Sequence, residues 1–275
     1  MPEGPEAEIC RRQLERWLCG QVVSEIVLVD PACVRTKRST RVMDADLNGG
    51  VWLQQHLLNH RITSVLRHGK RIALRWSGGA LLLHLGMTGK WVLRRQPLER
   101  HLRIALRTDR EQWVCFVDMR RFGCLVPVLD EPKELLKQGL GPDAITEPLS
   151  AESLRQRFRP RQMIKVALMD QSAIAGIGNI HATEVLWQVR VHPKKAVQDL
   201  ALRDWKQLSR CIPAHLNQIV DDQDSDEMHY VSQGANNPFR VYGRAGAICS
   251  RCNGKIQNVK IQGRSTFFCD SCQLL

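Results

Sequence analysis

No apolar run in this 275-residue chain approaches the length a bilayer requires, the longest being the short Ala80 to Leu85 stretch. A helix-spanning membrane protein is therefore not expected. The N-terminus lacks a basic region followed by an apolar one, so no signal peptide is expected either. Six of the ten cysteines (Cys10, Cys19, Cys33, Cys115, Cys124, Cys211) are scattered without a disulfide-like framework, which points to a reducing compartment. A cytoplasmic or nucleoid-associated protein with no membrane partner is the expectation. Internal repeats and low-complexity tracts are absent. Acidic residues are the minority charge: 28 Asp and Glu against 40 Lys and Arg leave a formal charge of +12, which favours an anionic partner such as nucleic acid.

The other four cysteines have a pattern of their own. Cys249, Cys252, Cys269 and Cys272 read C-x2-C, sixteen residues, C-x2-C, the spacing of a four-thiolate structural zinc site. The alternative, a redox pair or two unrelated pairs of thiols, leaves the doubled spacing unexplained. Such a closed site holds one structural Zn2+ ion with no open position, so the metal is expected to build a scaffold. Between the knuckles, Ile256, Val259 and Ile261 precede the turn signal Gln262-Gly263-Arg264-Ser265, which predicts a β-hairpin with an arginine at its tip.

Elsewhere the chain divides by pattern. Residues from Ala7 to Leu18 have helical spacing, stopped by Cys19-Gly20. Short β-rich runs follow: Val22–Val29, Ile62–Leu66, Arg71–Trp76, Ala80–Leu85, Trp91–Leu93, Leu102–Arg107 and Trp113–Asp118, as in a β-sandwich. The polar region Pro31 to Gly50, with Arg35, Lys37, Arg38 and Arg41, reads as a loop insertion. After Leu140-Gly141-Pro142-Asp143 the pattern turns helical, with a cap at Ser150 and helical runs at Ile164–Met169, Ile180–Val189 and Leu200–Val220. The acidic stretch Asp221 to Glu227 reads as a solvated linker. The expected architecture is α+β with three parts: a β-sandwich domain at 1–145, a helical domain at 146–236 and a zinc hairpin at 237–275.

The opening Met1-Pro2-Glu3-Gly4-Pro5-Glu6 carries chemistry if the initiator methionine is removed, as a small second residue normally allows. Pro2 then has a free secondary amine, and an α-amino group with a reference pKa near 8 is partly unprotonated and nucleophilic at neutral pH. Attack on a sugar carbon would make an iminium, with the neighbouring acids Glu3 and Glu6 moving protons. Gly176-Ile-Gly178-Asn179, before a helical run, is suited to letting backbone N–H groups approach a phosphate.

Three segments stand in order along the chain: Pro2-Glu3-Gly4-Pro5-Glu6, Ile174-Ala-Gly-Ile-Gly-Asn-Ile-His-Ala-Thr-Glu184, and Gly263-Arg-Ser-Thr-Phe-Phe-Cys269. Together they resemble the formamidopyrimidine-DNA glycosylase / endonuclease VIII family of base-excision repair enzymes. The resemblance implies a catalytic β-sandwich, a helical domain with a helix–two-turn–helix motif and a zinc hairpin, and double-stranded DNA in the cleft between them, bound by a monomer. It makes Pro2 the Schiff-base nucleophile, Glu3 its acid/base partner and Glu6 a second functional carboxylate. Lys70 would contact a phosphate beside the lesion, Asn179 and Arg264 would grip the flanking phosphates, and Lys165 would contact DNA. The activity implied is that of a glycosylase and AP lyase cutting by β,δ-elimination.

A base within a duplex must be extruded before its glycosidic carbon can be reached, and the gap must be filled. Met87, Arg120 and Phe122 resemble the gap-filling triad of the formamidopyrimidine branch; alternatively Met87 and Phe122 belong to the sandwich core. The lesion class stays open. Gly4 resembles endonuclease VIII and gives a lean toward oxidised pyrimidines, whereas the triad resembles the branch acting on 8-oxoguanine and ring-opened purines. The stretch between Val220 and Val241 lacks the glycine-rich opening typical of the purine branch's base-capping loop, and His181 stands where the family has tyrosine. The same fold could also bind damaged DNA without catalysis, or a zinc ribbon could contact RNA or protein; neither gives Pro2 and Glu3 a role.

Overall fold

In a computed structural model the described residues are 2–35, 49–129, 132–223 and 237–275. Most of the polar insertion, most of the acidic linker and most of the stretch after Val220 lie outside them. Two compact units divide near residues 138 and 139, and Glu3–Pro5 cluster with the second.

The first unit is a β-sandwich. Strands β1 (Val23–Leu28), β5 (Lys90–Arg94), β6 (Leu102–Thr108) and β7 (Trp113–Val117) form one antiparallel sheet in the order β1-β6-β7-β5. Strands β2 (Ile62–His68), β3 (Arg71–Trp76), β4 (Gly79–His84) and β8 (Cys124–Val128) form the other, in the order β2-β3-β4-β8. One core joins them: Ile72, Leu74, Leu81 and Leu83 from one sheet with Ile104, Leu106, Val114 and Phe116 from the other. Each such side chain, fully buried, contributes about 1.5–3 kcal/mol. Helix α1 (Gly4–Leu18) adds Cys10, Leu14 and Leu18 to that core. It begins three residues before the expected Ala7, because Pro5 is well suited to the first turn, where its missing N–H costs nothing.

Two short helices, α2 (Gly49–His56) and α3 (Pro132–Lys137), and strand β8 extend the sequence reading. The helix α2 claims the C-terminal end of the region expected as loop.

The second unit holds α4 (Ala151–Arg157), α5 (Ile164–Leu168), α6 (Asn179–Gln188) and α7 (Leu202–Gln223). Ser150 caps α4 as expected, its Oγ accepting from Ser153 N at 3.0 Å. Ile164, Leu168, Ile174, Val185, Leu186, Trp205, Leu208 and Ile212 pack as its core. Strands β9 (Ile256–Ile261) and β10 (Arg264–Cys269) make the expected hairpin. Its two-residue turn is Gln262-Gly263, both with positive φ (46° and 74°), as a tight hairpin demands. Arg264 therefore begins β10, opposite Ile261, one residue past the tip.

Candidate active site and nucleic-acid contacts

In the second unit the N-terminus of α6 is occupied. Glu3, only 1% exposed, accepts from the backbone N–H of Ile180 at 2.9 Å and of His181 at 3.2 Å. These are donors that a helix start leaves without intrahelical partners, and the helix dipole favours a carboxylate there. The sequence reading offered this helix start to a phosphate. The structure instead seats Glu3 on it, because a covalently supplied carboxylate satisfies the same donors. Gly178 makes room: a Cβ there would fall 2.3 Å from Glu3 Cδ. Gly4 N donates to Gly176 O at 2.8 Å, and a Cβ on Gly4 would come within 3.1 Å of that oxygen. The backbone on both sides of the Glu3 seat is thus packed at glycine distance.

Asn179 opens the same helix. Its Oδ1 accepts from Lys165 Nζ at 2.7 Å and its Nδ2 donates to Ser265 O at 3.0 Å. Lys165 also donates to Thr266 Oγ1 at 2.5 Å and Ser265 O at 3.3 Å. The lysine is 1% exposed, so the structure places it beneath this surface, tying α5 to the start of α6 and to β10. Burial pulls its ammonium down to about 8, Glu3 opposes that, and Arg264 reinforces it. Arg264 itself is exposed. Glu3, Lys165, Asn179 and Arg264 are therefore brought into one electrostatic neighbourhood.

The four knuckle sulfurs all lie within 4.8 Å of one another. Tetrahedral zinc with Zn–S bonds near 2.3 Å requires sulfurs about 3.8 Å apart, so the donor set fits that ion. Burial alone would push the Cys249 thiol up. Hydrogen bonds from the Trp187 indole (3.4 Å) and the backbone N–H groups of Arg251 and Cys252 outweigh it and bring it down. Cys272 is instead pushed up, by burial and by the other sulfurs around it. Four thiolates cannot coexist here without a cation to balance them. Trp187 lies on α6, and the Arg251 guanidinium stacks 4.1 Å from its ring while donating to Trp187 O at 2.7 Å. The lobe that would hold the metal is thereby fastened to the helix that carries Asn179.

In the first unit, Pro2 and Glu6 are buried and Lys70 is half-buried in the β2–β3 turn. Arg67 ties that turn to α1: its Nε donates to Glu8 Oε2 at 2.7 Å and its Nη1 to Gly69 O at 2.8 Å. Burial works against the Glu8 charge, but hydrogen bonds from Arg11 and the charge of Arg67 outweigh it and hold the carboxyl below its ordinary value.

Met87 and the pair Arg120 and Phe122 sit on two loops that are locked together. Thr88 Oγ1 donates to Asp118 Oδ1 at 2.5 Å, while Arg120 N and Gly123 N donate to the same carboxylate at 3.2 and 2.7 Å. A Cβ on Gly86 would lie 2.6 Å from Phe122 C, so the loops touch backbone to backbone. Phe122 is 39% exposed, with the Arg120 guanidinium 4.9 Å from its ring, and Met87 is half-buried. Neither apolar residue belongs to the sandwich core.

Residues 1–125 match the family model described as formamidopyrimidine-DNA glycosylase N-terminal domain, and residues 140–229 match the formamidopyrimidine-DNA glycosylase H2TH domain. A formamidopyrimidine-DNA glycosylase of Desulforamulus reducens is 33% identical over 284 residues, with 99% of each chain covered. The Lactococcus lactis enzyme of that name is 31% identical over 283 residues, again with 99% of each covered. The chain belongs to the formamidopyrimidine-DNA glycosylase family. Its fold resembles the L. lactis enzyme solved with abasic-site DNA (TM-score 0.84, 29% identity, 99% and 100% of the two chains covered). It also resembles that enzyme with DNA containing N7-benzyl-Fapy-dG (TM-score 0.85, 29% identity, both chains fully covered). The protein is thus an enzyme, a DNA glycosylase acting on damaged DNA. No helix among the described residues is long and apolar enough to cross a membrane.

Within this glycosylase, some supporting residues escaped the sequence reading. Glu184 is buried and accepts from Arg240 N, Val241 N and Tyr242 N at 2.9, 2.9 and 2.8 Å, pinning the chain that enters the four-cysteine lobe. In the sequence it stood only as the last residue of the second family-like segment, with nothing to name its partners. Glu8 carries no sequence signal that sets it apart from other acids on a helix. Among the scattered cysteines, burial pushes Cys33 up to about 12 and Cys115 and Cys211 up to about 11, which disfavours their thiolates.

Proposed function

We propose that this glycosylase removes its base through a Schiff base on Pro2, and that it then cuts the strand as a lyase. The Pro2 nitrogen, freed by loss of Met1, attacks C1′ of an extruded deoxyribose. The C1′–N bond to the damaged base breaks with its electron pair and the base takes a proton; the amine proton is lost, and the C1′–O4′ bond then opens, its oxygen protonated, to leave a ring-opened iminium. Removal of a C2′ proton then expels the 3′ phosphate, and a second elimination expels the 5′ phosphate. Glu3 and Glu6 move the protons, Lys70, Asn179 and Arg264 hold phosphates, and Met87, Arg120 and Phe122 fill the vacated stack. A zinc ion on Cys249, Cys252, Cys269 and Cys272 supplies structural order only.

The observation that carries this reading is the Glu3 seat. Two N–H groups and a glycine-sized gap fix a carboxylate one residue from the proposed nucleophile, on the helix that also carries Asn179. In a protein that merely bound DNA that seat would be a helix cap and no more; the proposed chemistry also gives its carboxylate protons to move.

For lesion class we infer a preference for ring-opened and oxidised purines. The lean toward pyrimidines rested on Gly4 and on the missing glycine-rich opening after Val220, which lies mostly outside the described residues; Gly4 has a local reason, its close approach to Gly176. The exposed Arg120–Phe122 stack beside Met87 supports the purine branch, as do the names of the relatives. A panel of duplexes holding formamidopyrimidine, 8-oxoguanine, thymine glycol or dihydrouracil tests this. Faster nicking of the first two is expected; faster nicking of the pyrimidine lesions overturns the assignment.

A further inference from the structure

In the wedge loop Asp118–Gly123 the Asp118 carboxylate braces the backbone on either side of Arg121. Arg121, between Arg120 and Phe122, has a φ of 57°, a left-handed conformation unfavourable for a side-chain-bearing residue. A second contact, from outside the loop, holds its side chain. Asp30, after β1 and only 7% exposed, accepts from Arg121 Nε at 2.9 Å and Nη2 at 2.8 Å, a bidentate pair. Arg103 of β6 completes the arrangement: its Nη1 lies 3.5 Å from Asp30 Oδ2, and its Nε and Nη2 donate to Asp118 O at 2.9 and 2.7 Å. Asp30 thus connects, through two arginines, the first residue of the loop and its left-handed residue.

We propose that Asp30 is a positioning residue for the duplex wedge: through Arg121 and Arg103 it fixes the loop conformation that aims Arg120 and Phe122 into the gap left by the extruded nucleotide. The proposal rests on the wedge reading given above. The Asp118 carboxylate organises the inside of the turn, from Thr88, Arg120 N and Gly123 N. Asp30 organises the outside. With Asp30 neutral, Arg103 and Arg121 would face each other without a counter-charge, and the left-handed residue would lose its anchor. The loop would then relax, and the cost would fall on steps that need a kinked duplex. The sugar chemistry would be spared.

The test compares wild type, D30N and R121G on two substrates: a duplex with a central lesion, and a single strand with a preformed abasic site. Binding to a duplex carrying a tetrahydrofuran abasic analogue is measured in parallel by fluorescence anisotropy. D30N is expected to lose about tenfold in kcat/KM on the lesion duplex, mainly through KM, and about tenfold in analogue-duplex affinity, while single-strand cleavage stays within twofold. R121G, which removes the pair but accepts the left-handed conformation, is expected to lose less than D30N. Equal activity of folded D30N and wild type on both substrates overturns the clamp, as does an equal loss on both. A wild type that binds the analogue duplex but cuts neither substrate overturns the reading of the site instead; the affinity comparison then still judges Asp30.

Discussion

Gly178 and Glu3 are matched in space: a Cβ on residue 178 would stand 2.3 Å from the Glu3 carboxyl carbon, and 2.4 Å from Oε1. The smallest possible side chain at one position is therefore incompatible with the seat of the other. G178A is expected to displace the Glu3 carboxylate from Ile180 N and His181 N. Base excision should fall by at least about 100-fold while duplex binding changes less than about threefold. Single-turnover nicking beside a binding titration checks it.

Glu3 itself yields a sharper comparison. In E3Q an amide NH2 would face one of the two backbone donors, so the seat would hold one good acceptor only. Excision by E3Q is expected to be no better than that of E3A, with both binding lesion duplex at near wild-type affinity. A substantially active E3Q would show that the carboxylate's charge and second acceptor are dispensable.

Lys165 gives a pH dependence. Its ammonium is held down to about 8, first by burial and then by Arg264, against the pull of Glu3. Raising pH through 8 removes the charge-assisted bond to Asn179. Duplex affinity at fixed salt should therefore fall about three- to tenfold between pH 7 and pH 9, and K165M should start weak and show no such fall. The sign for stability is opposite. A lysine whose folded value lies below its unfolded value of 10.5 disfavours the protonated fold, so its contribution to stability improves as pH rises from about 8 to about 10.5.

Removing the metal tests the scaffold role. One zinc per chain should be released by a thiol-reactive reagent, and chelation should melt the hairpin that presents Arg264. DNA affinity is expected to drop at least about tenfold, while the near-ultraviolet signal of Trp76 and Trp91, both in the first unit's core, is retained. Zinc-free protein with unchanged affinity would remove the metal from the account.

Much of this was legible in the chain, and the failures have physical causes. The four-cysteine cluster and hairpin were readable because spacing and turn chemistry are local. Strand β8 was not, because Pro127 lies within it; the strand sits at the end of its sheet, where a missing N–H is tolerated. Helix α2 opens on two glycines, which signal a turn more strongly than a helix. The Glu3 seat joins residues 177 and 178 positions apart, and no periodicity reports such a pairing. The Asp30–Arg121 pair, 91 positions apart, was hidden for the same reason.

Borohydride trapping on a lesion duplex, followed by peptide mapping of the cross-linked protein, tests the central claim most directly. The account predicts a covalent complex whose single modified peptide begins at Pro2, and no complex when Met1 is retained. Strand cleavage by protein that starts at Pro2, with no adduct or with the adduct on a lysine, would contradict it.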